Sequence, residues 1–117
     1  MLTAELVSSL PVTVVSGGTC TQNITGVYIG DTLSRAMSRV KAGGLWITVT
    51  ANRNTLAVAE MTRAAAVVLA EGTRLTQEDI KTAEEHHITV LSTEKSAYEI
   101  AVLTDGLLYG KDDMPHE

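Results

Sequence analysis

The sequence predicts an α/β fold: a single domain, with a largely parallel sheet and flanking helices. Three short apolar runs recur at regular spacing, at residues 45–49 (LWITV), 66–69 (AVVL) and 88–91 (ITVL). A polar loop and then a helical pattern follow each run, which is the signature of strand–helix units. Parallel neighbours need such crossovers, and the crossovers are right-handed. The length of 117 residues fits one domain. A chain of this size buries roughly two-thirds of its unfolded surface and folds without covalent staples.

The elements read in order from the N-terminus. Thr3 is placed to cap a short helix with Leu6, Val7 and Leu10 on its apolar face, and Pro11 closes it. Residues 12–15 are β-branched and read as a strand, ended by Gly17-Gly18. Residues 20–23 read as a turn and residues 24–29 (ITGVYI) as a second strand, with Gly26 marking a bulge or a close backbone approach. Asp31 is a good N-cap for a helix with Leu33, Ala36, Met37 and Val40 on one face, ended by Gly43-Gly44.

The second half repeats strand and helix. Asn52 or Asn54 caps a helix running to about residue 65, apolar nearly all round and so expected to be buried on both sides. Thr76, with Asp79 three residues on, opens a helix through His86 with Ile80 and Ala83 as its apolar stripe. Ser92 or Thr93 caps the final helix. Its Ala97, Ile100, Ala101 and Thr104 form one face, and Tyr98, Val102 and Leu103 a second strip. That strip packs either on a neighbouring chain or over the domain's own surface. Residues 1–110 form the domain. Residues 111–117, polar and holding Pro115, form a disordered tail.

Composition narrows the function classes. The formal net charge is −5, whereas proteins that grip a nucleic-acid backbone carry basic patches. No nucleic-acid partner is expected. No apolar run approaches the roughly 20 residues of a membrane span, so no membrane partner is expected either. The lone Cys20 forbids an intrachain disulfide and suits a cytoplasmic, reducing setting. Its neighbourhood holds no metal-ligand set and no partner base. His86 and His87 are adjacent, so on a helix they point about 100° apart and do not share a metal. No Gly-Lys-Ser/Thr phosphate loop is present. No cofactor, metal site or catalytic set is expected.

The loops after the three apolar runs hold the residues of interest, because open α/β sheets bind ligands at the carboxyl ends of their strands. The first reads Asn52-Arg53-Asn54, after LWITVTA; the second, after AVVL, reads Ala70-Glu71-Gly72; the third begins Ser92-Thr93. This pattern resembles the DRTGG domain family, named for an Asp-Arg pair in one such loop and a Thr-Gly-Gly turn in the next. Arg53 and Gly72 match. Asn52 stands for the acidic residue, and Ala70-Glu71 for Thr-Gly. Residues 24–31 (ITGVYIGD) resemble the family's entry into its first long helix, and the resemblance runs from about residue 12 to residue 104.

The family occurs inside larger proteins, such as CBS-domain pyrophosphatases and phosphate acetyltransferases, with a regulatory or dimer-forming role. Its fold is similar to the N-terminal domain of HPr kinase, which lacks the kinase active site. The resemblance implies a non-enzymatic regulatory module and a homodimer.

The candidate ligand-binding residues are Asn52, Arg53, Asn54, Glu71, Gly72, Ser92 and Thr93. A guanidinium at a helix N-terminus favours an anion, such as a nucleotide phosphate. Arg53 either takes that role or bridges to Glu71 in the adjacent loop. Gly72 supplies positive φ. Ser92 and Thr93 offer hydroxyl donors or helix caps. The expected function is therefore a regulatory module that binds a small anionic ligand and acts as a dimer. The alternatives are a ligand-free dimerisation or adaptor module for a partner enzyme and, last, a small transferase.

Overall fold

The computed structural model describes residues 1–17 and 21–110. Gly18, Cys20 and the tail from residue 111 lie outside the described residues. Among the described residues ten elements follow one another: α1 (Thr3–Ser9), β1 (Thr13–Ser16), β2 (Gly26–Ile29), α2 (Leu33–Arg39), β3 (Gly44–Thr48), α3 (Arg53–Thr62), β4 (Ala66–Leu69), α4 (Gln77–Glu85), β5 (Val90–Ser92) and α5 (Ala97–Leu108). The five strands form one sheet in the order β1-β5-β4-β3-β2. The run from β2 to β5 is parallel, and β1 lies antiparallel beside β5. Both N-terminal strands thus complete the three-stranded parallel core, one at each edge.

The pleat sorts the core into two layers. Trp46, Val67, Leu69 and Val90 pack with residues of α2, α3 and α4. Leu45, Ile47, Val68 and Leu91 pack on the other side with Leu6 of α1, Leu10 just after it and Ile100 of α5. Each of α2, α3 and α4 links neighbouring strands in the same direction across the sheet. Right-handed crossovers therefore put all three on one face. Strands covered on both faces read as unbroken apolar runs, which is why β3 and β4 are legible as LWI and AVVL.

Several local expectations are corrected. Thr3 is inside α1 rather than at its cap, and its hydroxyl donates to the Gln22 carbonyl at 2.7 Å. β2 begins at Gly26, which pairs with Gly44 in unbroken register. No atom lies within 4 Å of where its Cβ would be, so Gly26 marks neither a bulge nor a close approach. The irregularity is in β1, between Val14 and Ser16.

Asp31 does not cap α2; Thr32 holds that position without a side-chain bond. The Asp31 carboxylate accepts from Thr48 Oγ1 at 2.7 Å and Val49 N at 2.8 Å. The end of β3 outcompetes the helix for it. Helix α2 stops at Arg39, before the glycines. Gly43 then turns with φ +80°, where a Cβ would meet Thr25 and the Asn23 carbonyl at about 3 Å.

Asn52 caps α3, its side chain accepting from Asn54 N and Thr55 N. The helix ends at Thr62, three residues early, as Arg63 turns left-handed. It is buried on one side only, since Ala57 and Met61 face solvent. Thr76 caps α4 as expected. Ser96, not Ser92 or Thr93, caps α5, because Ser92 closes β5 and the Thr93 hydroxyl donates to the Pro11 carbonyl at 2.8 Å.

Ser96 and Glu99 exchange bonds at both ends, Glu99 N to Ser96 Oγ and Ser96 N to Glu99 Oε1, each at 3.1 Å. The bonds from Ser96, with Lys95 nearby, hold the Glu99 carboxyl below the usual carboxylate range. A carboxyl lowered in the folded state adds stability above its unfolded pKa and loses it as pH falls through its folded value. Glu99→Gln is therefore expected to lower Tm slightly at neutral pH and to leave it nearly unchanged at low pH, where Glu99 is protonated, so the acid side of a plot of Tm against pH becomes flatter.

Candidate functional site

The carboxyl ends of β2 to β5 meet at one edge, where the connecting loops are tied by backbone bonds. Ala70 N donates to Thr48 O, Thr93 N to Leu69 O, Gly72 N to Thr93 O and Glu71 N to Lys95 O, all at about 3 Å. The loops after β4 and β5 are thus zipped together. Glu71 and Gly72 are both left-handed, with φ of 59° and 72°. Gly72 does supply the turn, and Glu71 shares it. The Glu94 side chain lies over Gly72, its Oε1 at 2.8 Å from where a Cβ would stand.

The seven candidate residues divide into two groups. Asn52, Arg53 and Asn54 form the start of α3. The Asn52 carbonyl oxygen is occupied by the cap. Arg53 Nη2 donates to Glu78 Oε1 at 2.8 Å, and Arg53 Nε lies 4.0 Å from Asp79 Oδ1. Its partners are these two acids in the first turn of α4, where a helix dipole favours negative charge. The bridge to Glu71 is not made. Arg53 also borders a 130 Å³ groove between α3 and α4. His86 lies there too, its Nδ1 3.0 Å from Glu60 Oε2. Among the described residues no group of three or more His, Cys, Asp or Glu side chains forms a metal site.

The second group is Glu71, Gly72, Ser92 and Thr93. Ser92 and Thr93 line a 270 Å³ recess at the end of β5 with Pro11, Thr13, Arg74, Glu94 and Lys95. The recess opens where strand polarity changes, since Thr13 of antiparallel β1 pairs with Ser92. Arg74 Nη2 is 3.5 Å from Glu94 Oε2. The wall therefore offers two cations and hydroxyl groups, with one carboxylate among them. Its two cations suit it to an anion.

The sequence profile of the DRTGG domain matches residues 5–106. The chain belongs to the DRTGG domain family. This DRTGG domain is similar in structure to the CBS and DRTGG domains of the regulatory region of Clostridium perfringens pyrophosphatase, whose crystal structure is complexed with its activator, diadenosine tetraphosphate. The TM-score is 0.72 at 14% identity, over 97% of this chain and 50% of the other. At that identity the likeness is one of fold, and the DRTGG domain here spans half the length of that regulatory region. No curated protein matches. Among the described residues no helix is long and apolar enough to cross a membrane.

Thr13 and Arg74 are not marked by the sequence, and Lys95 falls in the loop after the third apolar run without standing among the candidates. Arg74 and Lys95 stand within three residues of Gly72 and Thr93, so listing every cation in the strand-end loops of the DRTGG domain finds them. Thr13 reaches the site through the pairing of β1 with β5, which no local pattern encodes.

Proposed function

We propose that this DRTGG domain is a non-catalytic regulatory module that binds a small anionic ligand at the carboxyl edge of its sheet and acts as a homodimer. The observation that carries the reading is the 270 Å³ recess at the end of β5, walled by Arg74, Lys95, Ser92 and Thr93. Glu71 and Gly72 border it through their backbone bonds to the β5 loop. Asn52, Arg53 and Asn54 follow β3 on the same edge but are not part of the recess wall, and Arg53 is paired with Glu78 and Asp79. A ligand in the recess stiffens loops from three strands at once and so biases one conformation of the edge. The similar pyrophosphatase region is a regulatory one with a nucleotide activator, which supports a nucleotide as the ligand class and a partner enzyme as the recipient of the signal.

A thermal-shift screen of nucleotides and phosphorylated metabolites tests this reading. A ligand at a hundred times its Kd adds about 2.7 kcal/mol, which is on the order of 10 °C in Tm for a domain of this size. A blank screen overturns the ligand reading and leaves an adaptor module.

Support for the dimer comes from α5. Tyr98 is 76% exposed, and Val102, Leu103 and Leu107 are exposed beside it. Tyr98 does not lie over the domain's own surface. Gly106 sits within the helix with open space before it, although an interior glycine costs about 1 kcal/mol relative to alanine. A two-fold axis through Val102 sets Tyr98 over the partner's Gly106, bulk against gap. Light scattering is expected to give twice the 12.4 kDa chain mass. The double variant Tyr98→Ala, Val102→Glu is expected to return the monomer. A monomeric native protein contradicts the dimer.

A further inference from the structure

Two recesses meet at the carboxyl end of β5. The first is the polar recess already described. The second, of 130 Å³, is walled by Val15, Leu69, Leu75 and Ile80, with Thr73 and Gln77 among them, and shares Arg74 and Ser92 with the first. One half suits charge and the other an apolar, flat group. The first, of 270 Å³, is close to the lower end of small-molecule sites, roughly 300–1,000 Å³, and the second lies beside it across the shared Arg74 and Ser92.

We infer that this cleft takes an organic phosphate bearing a planar apolar group, a nucleoside monophosphate being the simplest, and that Glu94 holds the phosphate's place on Arg74 until the ligand arrives. The inference rests on the reading of the strand edge as a ligand site, and it moves the anion from Arg53 to Arg74. Arg53 already faces two acids, Glu78 at 2.8 Å and Asp79 at 4.0 Å. A phosphate there would meet both carboxylates. Among the described residues Arg74 has one ion-pair partner, Glu94 at 3.5 Å, and both side chains are more than three-quarters exposed.

Such a pair is weak and easily exchanged. A phosphate offers the guanidinium two charge-assisted bonds where the carboxylate now offers one long contact. Lys95 and Ser92 stand on the same wall. Among the described residues no hydrogen bond occupies the Ser92 hydroxyl. Gly72 leaves Glu94 room to rest there, since a Cβ would come within 2.8 Å of its Oε1 and displace the flexible side chain. The ring then lies against Val15, Leu75 and Ile80, beside the amide of Gln77.

Isothermal titration with AMP, with adenosine and inorganic phosphate as controls, tests the assignment. The native protein is expected to bind AMP more tightly than either control. Arg74→Ala is expected to weaken AMP by about tenfold or more, the loss typical of a charged hydrogen bond. Glu94→Gln is expected to tighten it several-fold, and Arg53→Ala to leave it unchanged. The altered side chains are exposed, and the Tm of each variant without ligand verifies its fold. If Arg53→Ala abolishes binding and Arg74→Ala does not, this inference falls while the edge remains a ligand site. If AMP binds neither the native protein nor Glu94→Gln, the inference also falls. A blank metabolite screen beside that result removes the ligand site altogether.

Discussion

Trp46→Ala is expected to lower stability by about 3–5 kcal/mol, the range for removing a large aromatic from a core. Trp46 is the largest fully buried side chain, at the centre of the layer formed with α2, α3 and α4. Its indole Nε1 donates to the Gly30 carbonyl at 2.9 Å, so it also fixes the loop that leaves β2. Truncation leaves a cavity and removes that donor. Domains of this size are stable by about 5–15 kcal/mol, so the loss is a large share of the total. Urea unfolding followed by circular dichroism measures it: the midpoint should fall while the slope stays constant. Trp46→Phe keeps most of the volume and should lose far less.

The second large effect is expected from Ile100→Ala, at about 2–5 kcal/mol. Ile100 is the fully buried apolar contact of α5 in the layer shared with α1. The helix packs over β2 and β3, so Ile100 decides whether its outer strip is presented at all. In the same urea experiment at low protein concentration, where association is weakest, Tyr98→Ala should stay within about 0.5 kcal/mol, as surface changes do. Equal losses for the two variants would contradict the placement of the helix.

The sequence was most legible where local pattern and burial agree. Residues 66–69 form β4 as expected, because a strand covered on both faces has no room for polar residues. Thr76 caps α4 because the cap and the amide it serves are three residues apart. Legibility failed where a distant group competes for a local one. Asp31 has the chemistry of a cap, but Thr48 and Val49, brought beside it by the pairing of β2 and β3, take its carboxylate. Arg53 lies after β3 at the start of α3, where its place in the sequence puts it, yet its partners are in α4 and not in the neighbouring loop. Helix α3 is rich in alanine, and alanine fits an exposed helix face as well as a buried one. The recess itself depends on β1 turning antiparallel beside β5. Nothing in residues 12–16 distinguishes that edge from the other.

A nitrogen-15 NMR titration with AMP tests the end of β5 as the ligand site residue by residue. The largest amide shifts are expected at Thr13, at Thr73 and Arg74, and from Ser92 to Lys95, with little change around Arg53. Shifts confined to the start of α3, or no shifts at all, would contradict it.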